Sequence, residues 1–575
     1  MKKVWAQRIC IYVLPFCLAL CVCGYYLTYS TGLKILGDEY GYWAAGAFFA
    51  NIDWNDVTAI NDYYGWGYGI PLSLILRLHL PARATYQCGI ILNALWLYIS
   101  YLVAMALIKD IQTEWKEETS AILALMLTYG TSVLLYTQYT MVEVFLCMLY
   151  WCVAYLEWKV IRDGRIRDIV CLCIFSVFQL AIHLRTISIV AISVVIVFVV
   201  TWKKYKNVKA NLVLMLFVCG LVALVSIEKN IYLGAHTLNI TDFSLSGANT
   251  ISGQSAKIKY LFTIGGIISF LKNFMGRIFS SSIMSYTLII SAIYQFIKRI
   301  INSKFHNIST KEVIFGIYLL NFLSLVAVAS VYMIGSVLQR FDVLTYTRYH
   351  EFALGPVTVC AVIYLYQDLQ EKVNDTYRVL FIIGIILILT KIVTRVQNFD
   401  SAISHLFIMD PMNLFWHDHA FEKYACYLSE AVCALAAFGL LYAMIKFLGE
   451  RGIMVFGFIA VIINMYIMNY AYVDGCLNWS TKVNEQIDQF VEYIDEKGYA
   501  DELVFPADNN ALRIDQIQFL LKDHKISLYT IENISEMQDK VVISSTGYEK
   551  NNYLSEAGYI EVYEAASLKL WVRDK

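Results

Sequence analysis

The stretch GLKILGDEYGYWAAGAFF, residues 32–49, places two adjacent carboxylates, Asp38 and Glu39, directly after the first apolar segment of the chain. A carboxylate that enters hydrocarbon costs free energy, so carboxylates kept at the edge of a membrane helix commonly have a function. Small and aromatic residues follow the pair, which is typical of a helix at a membrane interface. The stretch therefore predicts a membrane protein with an acidic site beside its first span.

The composition agrees with that interpretation. The 575 residues are 59% hydrophobic and 16% charged, with a mean hydropathy of +0.56, which indicates a polytopic membrane protein. The net charge of −1 gives no positive electrostatic field that would attract nucleic acid, so we expect no nucleic-acid partner. The 14 cysteines lie mostly in apolar runs without metal or disulfide spacing, and we interpret them as small core residues.

About thirteen apolar stretches are long enough to span a membrane, which predicts an all-α transmembrane fold. They lie at residues 9–28, 84–108, 119–136, 141–158, 168–183, 186–202, 210–227, 281–297, 312–337, 351–367, 379–394, 425–446 and 452–472. The first stretch follows MKKVWAQR and shows no small-residue cleavage site, so we interpret it as a retained helix.

The basic residues predict the orientation. Lys and Arg cluster at the N-terminus and in short loops such as 159–167 and 203–209, which fall on one side if the chain has thirteen spans. The positive-inside rule makes that side cytoplasmic. The Asp38 loop, other long loops such as 395–424, and the C-terminal tail are then external, and we expect a bacterial plasma membrane.

Two regions between the spans have mixed faces. Residues 38–51 and 68–80 are too short or interrupted to span easily and predict interfacial helices. Residues 234–257 are rich in Ser, Gly, Asn and Thr and predict a mobile loop, followed by an amphipathic segment at 258–279. The pair fits a lid over an external cavity or a simple connector equally well.

The composition changes at about residue 481, so we divide the chain into a transmembrane catalytic domain, 1–475, and an external soluble α/β domain, 481–575. Helical patterns occupy 484–498 and 511–522 of the second domain. Its predicted strands are LVFP (503–506), ISLYTI (526–531), KVVISS (540–545), YIEVY (559–563) and LKLWV (568–572). We find no nucleotide, metal or nucleophile motif there, which leaves a structural or acceptor-docking role.

Asp38 and Glu39 are the candidates for a general base at the membrane surface. The alternative is a solvated cap, because carboxylates favour helix N-termini. Nearby aromatic side chains, which stack on sugars or line a groove for an amphiphile, favour function. The predicted groove residues are Tyr42, Trp43, Tyr63, Tyr64, Trp66, Tyr68 and Tyr349.

Three cations and one further carboxylate are predicted on the same outer side. Arg348 lies in LTYTRYHEFALGP (344–356) and Arg185 in AIHLRTIS (181–188), where guanidinium groups could bind a phosphate in bidentate fashion. Lys229 ends another span, and snorkelling to the interface explains it more simply. Glu143 lies within a span near its outer end, as a functional carboxylate or a hydrogen-bonded bundle residue.

One loop carries possible metal ligands. Asp410, His417, Asp418 and His419 lie together in DPMNLFWHDH, 410–419. Their spacing matches no helical ligand pair, so a divalent metal is possible but has no clear ligand set.

The pattern resembles the GT-C glycosyltransferases, of the bacterial protein mannosyltransferase and aminoarabinose transferase type. The resemblance covers the layout of about 1–475. It is carried by the acidic pair after the first helix, by YYGWGYGIPLSLIL (63–76), by Arg348-Tyr349 at the outer end of a late span, and by an external C-terminal domain.

The resemblance implies an enzyme that takes a sugar from a polyprenyl-phosphate donor at the outer face. It implies that Asp38 is the catalytic base, with Glu39 as second choice or as a residue that positions the acceptor. It also implies that Arg348 and Arg185 hold the lipid phosphate. One base without a paired acid fits a single displacement, so we predict inversion at the anomeric carbon. The acceptor, a glycan, a lipid or a protein, is not specified.

Two other functions remain open from the sequence. A lipid-linked glycan flippase or transporter also has many spans and buried charges, although we find no internal repeat. An enzyme like the O-antigen polymerases or ligases would instead use the loop at 395–424, so that His417 and His419 would matter more than Asp38.

Overall fold

The computed structural model describes most of the chain as helical. The described residues are 5, 7–34, 36–236, 251–303, 308–334, 344–371, 376–396, 423–473, 477–509, 513–530 and 540–573. The predicted metal residues Asp410, His417, Asp418 and His419 and most of the loop at 395–424 lie outside them, as does most of the predicted loop at 234–257.

The described part of the predicted membrane domain contains nineteen α-helices. They are α1 (Leu14–Tyr25), α2 (Leu36–Ala50), α3 (Asn55–Ala59), α4 (Gly69–Leu76), α5 (Ala82–Ile111), α6 (Glu117–Thr128), α7 (Thr131–Tyr136), α8 (Glu143–Asp163), α9 (Ile166–Ile182), α10 (Ile187–Tyr205), α11 (Val208–Ala235), α12 (Ile251–Leu261), α13 (Ile264–Met284), α14 (Leu288–Asn302), α15 (Thr310–Tyr332), α16 (Leu354–Gln370), α17 (Thr376–Val396), α18 (Lys423–Leu448) and α19 (Glu450–Tyr472).

The polytopic helical fold is confirmed, but the number of thirteen spans is not. Among the described residues, ten helices are long and apolar enough to cross a membrane, or eleven if one bent pair counts as a single span. The predicted span at 119–136 is divided into α6 and α7, because Gly130 adopts an extended backbone between them. The predicted span at 168–183 corresponds to α9, which has only 17 residues.

The predicted span at 281–297 is not a continuous helix. Helices α13 and α14 meet within it at an angle of 105°. Tyr286 and Thr287 at the bend have φ angles of 52° and 60°, in the left-handed region that non-glycine residues rarely adopt. The interfacial segment predicted at 258–279 therefore runs through α12 into α13, which continues to the bend at Ser285.

The two segments predicted to be too short to span form α2 and α4, with 15 and 8 residues. The two helices pack very closely, because a Cβ added to Gly69 would lie 2.6 Å from the backbone carbon of Ala45. Gly65, in the loop before α4, has φ 119°, and a Cβ there would lie 2.0 Å from the Ile182 carbonyl oxygen. Only glycine fits these positions, which fixes the loop of residues 60–68 against the end of α9.

In the C-terminal unit, the described residues between 478 and 573 form a five-stranded sheet and three α-helices. Its elements are α20 (Asn478–Lys497), β1 (Leu503–Pro506), α21 (Arg513–Leu520), β2 (Ser527–Tyr529), β3 (Val541–Ser545), α22 (Asn551–Glu556), β4 (Tyr559–Ala565) and β5 (Leu568–Arg573). The strand order is β2-β1-β3-β5-β4, in which β1 is parallel to β2 and β3, and β5 is antiparallel to β3 and β4. All five strands are confirmed within a few residues, and α22 was not predicted.

Candidate active site

Helix α2 presents the acidic pair in its first turn, where a helix N-terminus favours negative charge. The two carboxylates nevertheless occupy different environments. The Asp38 side chain is 21% exposed, whereas Glu39 is completely buried. Neighbouring positions on a helix point about 100° apart, so one face of α2 turns Asp38 towards a polar cluster and the next turns Glu39 into the protein.

Glu39 accepts at least four hydrogen bonds, from three of the described residues. One carboxylate oxygen accepts from the Tyr86 hydroxyl at 2.7 Å, the Thr140 amide at 2.7 Å and the Thr140 hydroxyl at 2.8 Å. The other oxygen accepts from the Lys34 amide at 2.7 Å. Hydrogen bonds to a charged acceptor are strong, so Glu39 ties α2 to α5 and to the turn before α8. These contacts fit a structural carboxylate better than a base that must meet a substrate.

Asp38 faces the cationic residues that the sequence singled out. Arg348 Nη1 lies 2.5 Å from an Asp38 carboxylate oxygen, and Arg348 Nε lies 2.7 Å from Glu143 Oε1. Arg185 Nη2 lies 3.3 Å from the same Glu143 oxygen. The four side chains form a continuous chain of charge, which we call the charged cluster: Asp38, Arg348, Glu143 and Arg185.

Four separate elements bring the charged cluster together. Asp38 lies in the first turn of α2, Glu143 is the first residue of α8, Arg185 lies in a 3₁₀ turn after α9, and Arg348 lies in the turn before α16. The backbone supports this arrangement, because Arg185 Nη1 also donates to the Arg348 carbonyl at 3.3 Å. The Arg185 guanidinium lies 5.3 Å from the ring centre of Tyr349, within cation–π range.

The charged cluster is buried and balanced. Arg185 and Arg348 are 1% and 6% exposed, and Glu143 is 4% exposed. Two guanidinium groups face two carboxylates, so the four charges cancel. Three polar atoms at this place lack a hydrogen-bond partner within the described part of the chain: Arg185 Nε, Glu143 Oε2 and the Tyr42 hydroxyl. Unpaired buried polar atoms are costly, and a polar ligand would satisfy them.

The predicted aromatic residues divide into two groups. Tyr64 lies against Gly41 and close to Asp38; burial raises the pKa of Tyr64, and the charge of Asp38 raises it further. Tyr42 connects Tyr64 to Tyr68, with ring centres 5.9 and 5.6 Å apart. Tyr64 and Tyr349 therefore lie beside the charged cluster, at Asp38 and at Arg185.

The other predicted residues have their described contacts elsewhere. Trp43 donates to the Thr140 hydroxyl at 2.8 Å and packs on Phe519. Tyr63 packs against Tyr232, and Trp66 donates to the Val225 carbonyl at 3.3 Å. Lys229 lies 5.5 Å from the ring centre of Tyr63. The structure therefore places Trp43, Tyr63, Trp66 and Lys229 in the packing around the site.

Sequence reasoning missed Lys34, although it lies in the stretch that holds the acidic pair. Its side chain is buried, and Nζ donates to the Tyr472 hydroxyl at 2.7 Å, to Ser30 Oγ at 3.0 Å and to the Gln138 carbonyl at 3.1 Å. The available signal was a lysine within an apolar stretch, five positions before Glu39. Lys34 connects the loop before α2 to the end of α19.

The C-terminal unit packs directly on the α2 region. Asn61 donates to the buried Asp515 at 2.7 Å, and Trp54 Nε1 donates to the Lys522 carbonyl at 2.8 Å. Asp515 Oδ2 would lie 3.9 Å from a Cβ added to Gly37, the residue before Asp38. Burial raises the pKa of Asp515 to about 8, against an ordinary value of 3.8. No local pattern in the sequence predicted this contact.

The described residues contain no group of three or more His, Cys, Asp and Glu side chains that could hold a metal ion. The charged cluster itself has two carboxylates that are already paired with arginines. The candidate metal residues of the sequence lie outside the described ranges.

Comparisons with known proteins agree with this architecture. No protein-family model matches the sequence, and curated proteins give no significant match. Among solved structures, ArnT from Cupriavidus metallidurans bound to undecaprenyl phosphate aligns with a TM-score of 0.52 and 12% identity, over 97% of each chain. The apo state of the same protein aligns with a TM-score of 0.51 and 12% identity, over 99% of this chain and 98% of that chain.

The arabinosyltransferase EmbB from Mycobacterium smegmatis aligns more weakly, with a TM-score of 0.41 and 12% identity over 80% of this chain and 41% of that chain. The two ArnT structures cover both the membrane helices and the C-terminal unit, so the likeness extends over the whole fold. This chain therefore has the fold of the GT-C membrane glycosyltransferases, as its sequence pattern had indicated.

Proposed function

We propose that the protein is an inverting glycosyltransferase that moves a sugar from a polyprenyl-phosphate donor to an acceptor hydroxyl at the outer face of the membrane. The observation that carries the proposal is the contact between Asp38 and Arg348 within the charged cluster. This contact supports the proposal because the residue proposed as the base and the residue proposed to bind the phosphate are direct neighbours. The undecaprenyl phosphate bound to the similar ArnT structure is consistent with a donor of this class.

The two arginines suit the phosphate of the donor. A guanidinium binds phosphate oxygens through two parallel hydrogen bonds, and it keeps its charge when buried. Arg185 Nε and the Tyr42 hydroxyl are donors without a partner in the described part of the chain, so a phosphate could use both. The polyprenyl tail would remain in hydrocarbon while the phosphate reaches the charged cluster.

Asp38 is assigned the proton transfer. The acceptor oxygen attacks the anomeric carbon, the bond from that carbon to the phosphate oxygen breaks, and the acceptor proton passes to the Asp38 carboxylate. The polyprenyl phosphate leaves with one additional negative charge, which Arg348 and Arg185 stabilise. One displacement at the anomeric carbon inverts its configuration. A positioned base of this kind contributes about 10²–10⁴ in rate.

The same contact suggests how donor binding prepares the base. In the structure Arg348 is shared between Asp38 and Glu143, so the carboxylate of Asp38 is occupied. A phosphate that binds Arg348 competes with Asp38 for the guanidinium. The carboxylate is then released towards the acceptor only when a donor is present, which limits unproductive reactions.

Cells that lack this protein and are complemented with variants provide the test. We expect the wild type, but not Asp38→Asn, to restore one glycan modification that mass spectrometry of the cell envelope detects. Both proteins must be present in the membrane in equal amounts. Normal restoration by Asp38→Asn would rule out Asp38 as the base. If no glycan modification depends on the wild-type protein, the proposed transferase function is ruled out.

A further inference from the structure

Two neighbouring helix breaks enclose a polar space that the proposed reaction does not use. The first break lies between α6 and α7, and the second between α13 and α14. Asn464 of α19 joins them: its Nδ2 donates to the Tyr129 carbonyl at 3.2 Å, and its Oδ1 accepts from the Thr131 hydroxyl at 3.2 Å and the Tyr286 hydroxyl at 3.1 Å. Tyr286 adopts a left-handed backbone. Broken helices at membrane depth are tolerated where they line a cavity.

A cavity of about 70 Å³ lies between the breaks. This volume exceeds the space that a single water molecule needs. Apolar side chains such as Met126, Trp151 and Phe352 form much of its lining. The polar side chains that line it are Thr131, Ser132, Ser285, Tyr286, Glu351, Thr358 and Asn464. The cavity is therefore suited to a small polar occupant.

Glu351 is the charged group of this cavity. The residue is 8% exposed, and one carboxylate oxygen accepts from the Thr347 hydroxyl at 2.9 Å. The other oxygen, Oε1, has no hydrogen-bond partner in the described part of the chain, and no lysine or arginine there forms an ion pair with it. The Tyr136 hydroxyl faces the carboxylate, and Glu143 and Arg185 lie farther away.

Backbone carbonyl oxygens are a second source of negative charge beside the Glu351 carboxylate. The carbonyls in the last turn of a helix have no partner within the helix, and they carry partial negative charge. Met126 and Leu127 end α6, and Met284 ends α13, and all three line the cavity. At the second break the amides of the next helix are already used, because Leu288 and Ile289 donate to Ser285. Three carbonyls in the last turn of α13 are used as well, because the amides of Ser285, Tyr286 and Thr287 donate to them. The candidate backbone ligands are therefore the carbonyls of Met126, Leu127 and Met284.

We propose that this cavity binds one alkali-metal cation, with Na⁺ as the simplest occupant, between Glu351 and the carbonyl ends of the two broken helices. Broken helices bind Na⁺ through unwound carbonyls in secondary transporters. A divalent ion usually takes several carboxylates, and Glu351 is the only carboxylate that lines this cavity among the described residues. The cation would neutralise Glu351 and fix the turn of residues 347–351, which also carries Arg348.

The test uses the purified full-length protein in lipid nanodiscs. Thermal unfolding is measured at pH 8.5 in NaCl, and in N-methylglucamine chloride of equal ionic strength. We expect a saturable rise of the unfolding midpoint in Na⁺ alone, and saturable binding of about one ²²Na⁺ per chain. A wild type with neither response overturns the proposal and leaves a cavity filled with water.

Three variants test whether Na⁺ binds in this cavity. Glu351→Gln should abolish ²²Na⁺ binding, and Thr358→Val should raise the Na⁺ concentration at half-saturation several-fold. Glu157→Gln is the matched control, because Glu157 is also a buried carboxylate of the bundle but already accepts from Asn321 and Ser193; it should bind Na⁺ normally. If Glu351→Gln does not fold, Thr358→Val decides: unchanged binding in it, or in a folded Glu351→Gln, overturns the proposal.

Discussion

Arg348 reaches Asp38 across 310 positions of the chain, and its Nη1 atom lies 2.5 Å from a carboxylate oxygen of Asp38. The same guanidinium contacts Glu143 at 2.7 Å, so Asp38 is one of two acidic partners. If the phosphate of a donor replaces Asp38 at Arg348, Arg348 favours donor binding and Asp38 opposes it, whereas both residues are needed for sugar transfer. Mutations can separate these contributions.

Asp38→Asn should reduce sugar transfer by about 10²–10⁴, because an amide cannot accept the acceptor proton. Transfer is measured as the initial rate in membranes that contain equal amounts of each protein. Asp53→Asn is the matched control, because Asp53 is an exposed carboxylate of the same region that pairs with Lys525. A loss in the control of the same size would indicate a general charge effect instead of a base.

Asp38→Asn should also bind undecaprenyl phosphate more tightly, by about tenfold or 1.4 kcal/mol, because Arg348 no longer has to leave a carboxylate. Arg348→Gln should bind it more weakly than the wild type. Affinity is measured by a change of intrinsic fluorescence in detergent, with undecaprenol as the uncharged control lipid. Weaker binding by Asp38→Asn would contradict the competition between phosphate and carboxylate.

Glu39→Gln should lower stability much more than it lowers the rate of the folded enzyme. Glu39 accepts at least four hydrogen bonds, and an amide would turn one acceptor into a donor that faces the Lys34 or Thr140 amide. Hydrogen bonds to a charged group contribute about 1.5–3 kcal/mol each, so the unfolding midpoint should fall clearly. The rate per folded molecule, at a temperature below both midpoints, should stay within about tenfold of wild type; a loss like that of Asp38→Asn would make Glu39 the base.

Asp515 should make stability depend on pH. Burial raises the pKa of Asp515 to about 8 in the folded protein, whereas the unfolded chain has the ordinary value of 3.8. Between pH 3.8 and about pH 8 the folded protein therefore keeps a proton on Asp515 that the unfolded chain releases. Stability therefore falls as the pH rises from about 4 to about 8, and this loss is complete above pH 8. Asp515→Asn keeps an acceptor for Asn61 but cannot ionise, so its midpoint should vary less over this range and be higher at pH 8.5.

Asp508→Asn provides the opposite control for that measurement. The pKa of Asp508 is lowered because Lys550 and Tyr548 donate to its carboxylate, which outweighs its partial burial. Its contribution is therefore present above the ordinary pKa of 3.8 and is lost as the pH falls through the lowered value. Asp508→Asn should leave the decline between pH 4 and 8 intact, and a decline that also persists in Asp515→Asn would exclude Asp515 as its source.

Much of this architecture follows from sequence periodicity. Apolar runs located most membrane helices, and short runs of strand-forming residues located the strands of the C-terminal unit. The bend at Tyr286 and Thr287 was missed because it lies in an apolar stretch without Gly or Pro. Its left-handed backbone is held by tertiary contacts, including the hydrogen bond from Tyr286 to Asn464, which no local pattern encodes.

The sequence predicted which residues form the site, but not which of them contact each other. Residue type and position at the ends of spans singled out Asp38, Arg348, Arg185 and Glu143, and the structure brings these four together. The sequence could not separate Asp38 from Glu39, because the difference depends on which side of α2 each residue faces. It could not indicate Asp515, whose partners belong to a distant part of the chain.

The contacts of Trp54 with Lys522 and of Asn61 with Asp515 also order the events of biosynthesis. They join positions 468 and 454 residues apart, so the ribosome has made most of the chain before either contact can form. Asp38 and Arg348 are both translated well before that point. The segment that follows α2 therefore gains these contacts only late in synthesis. A prematurely terminated chain would contain the four charged residues but would lack the C-terminal unit that packs beside them.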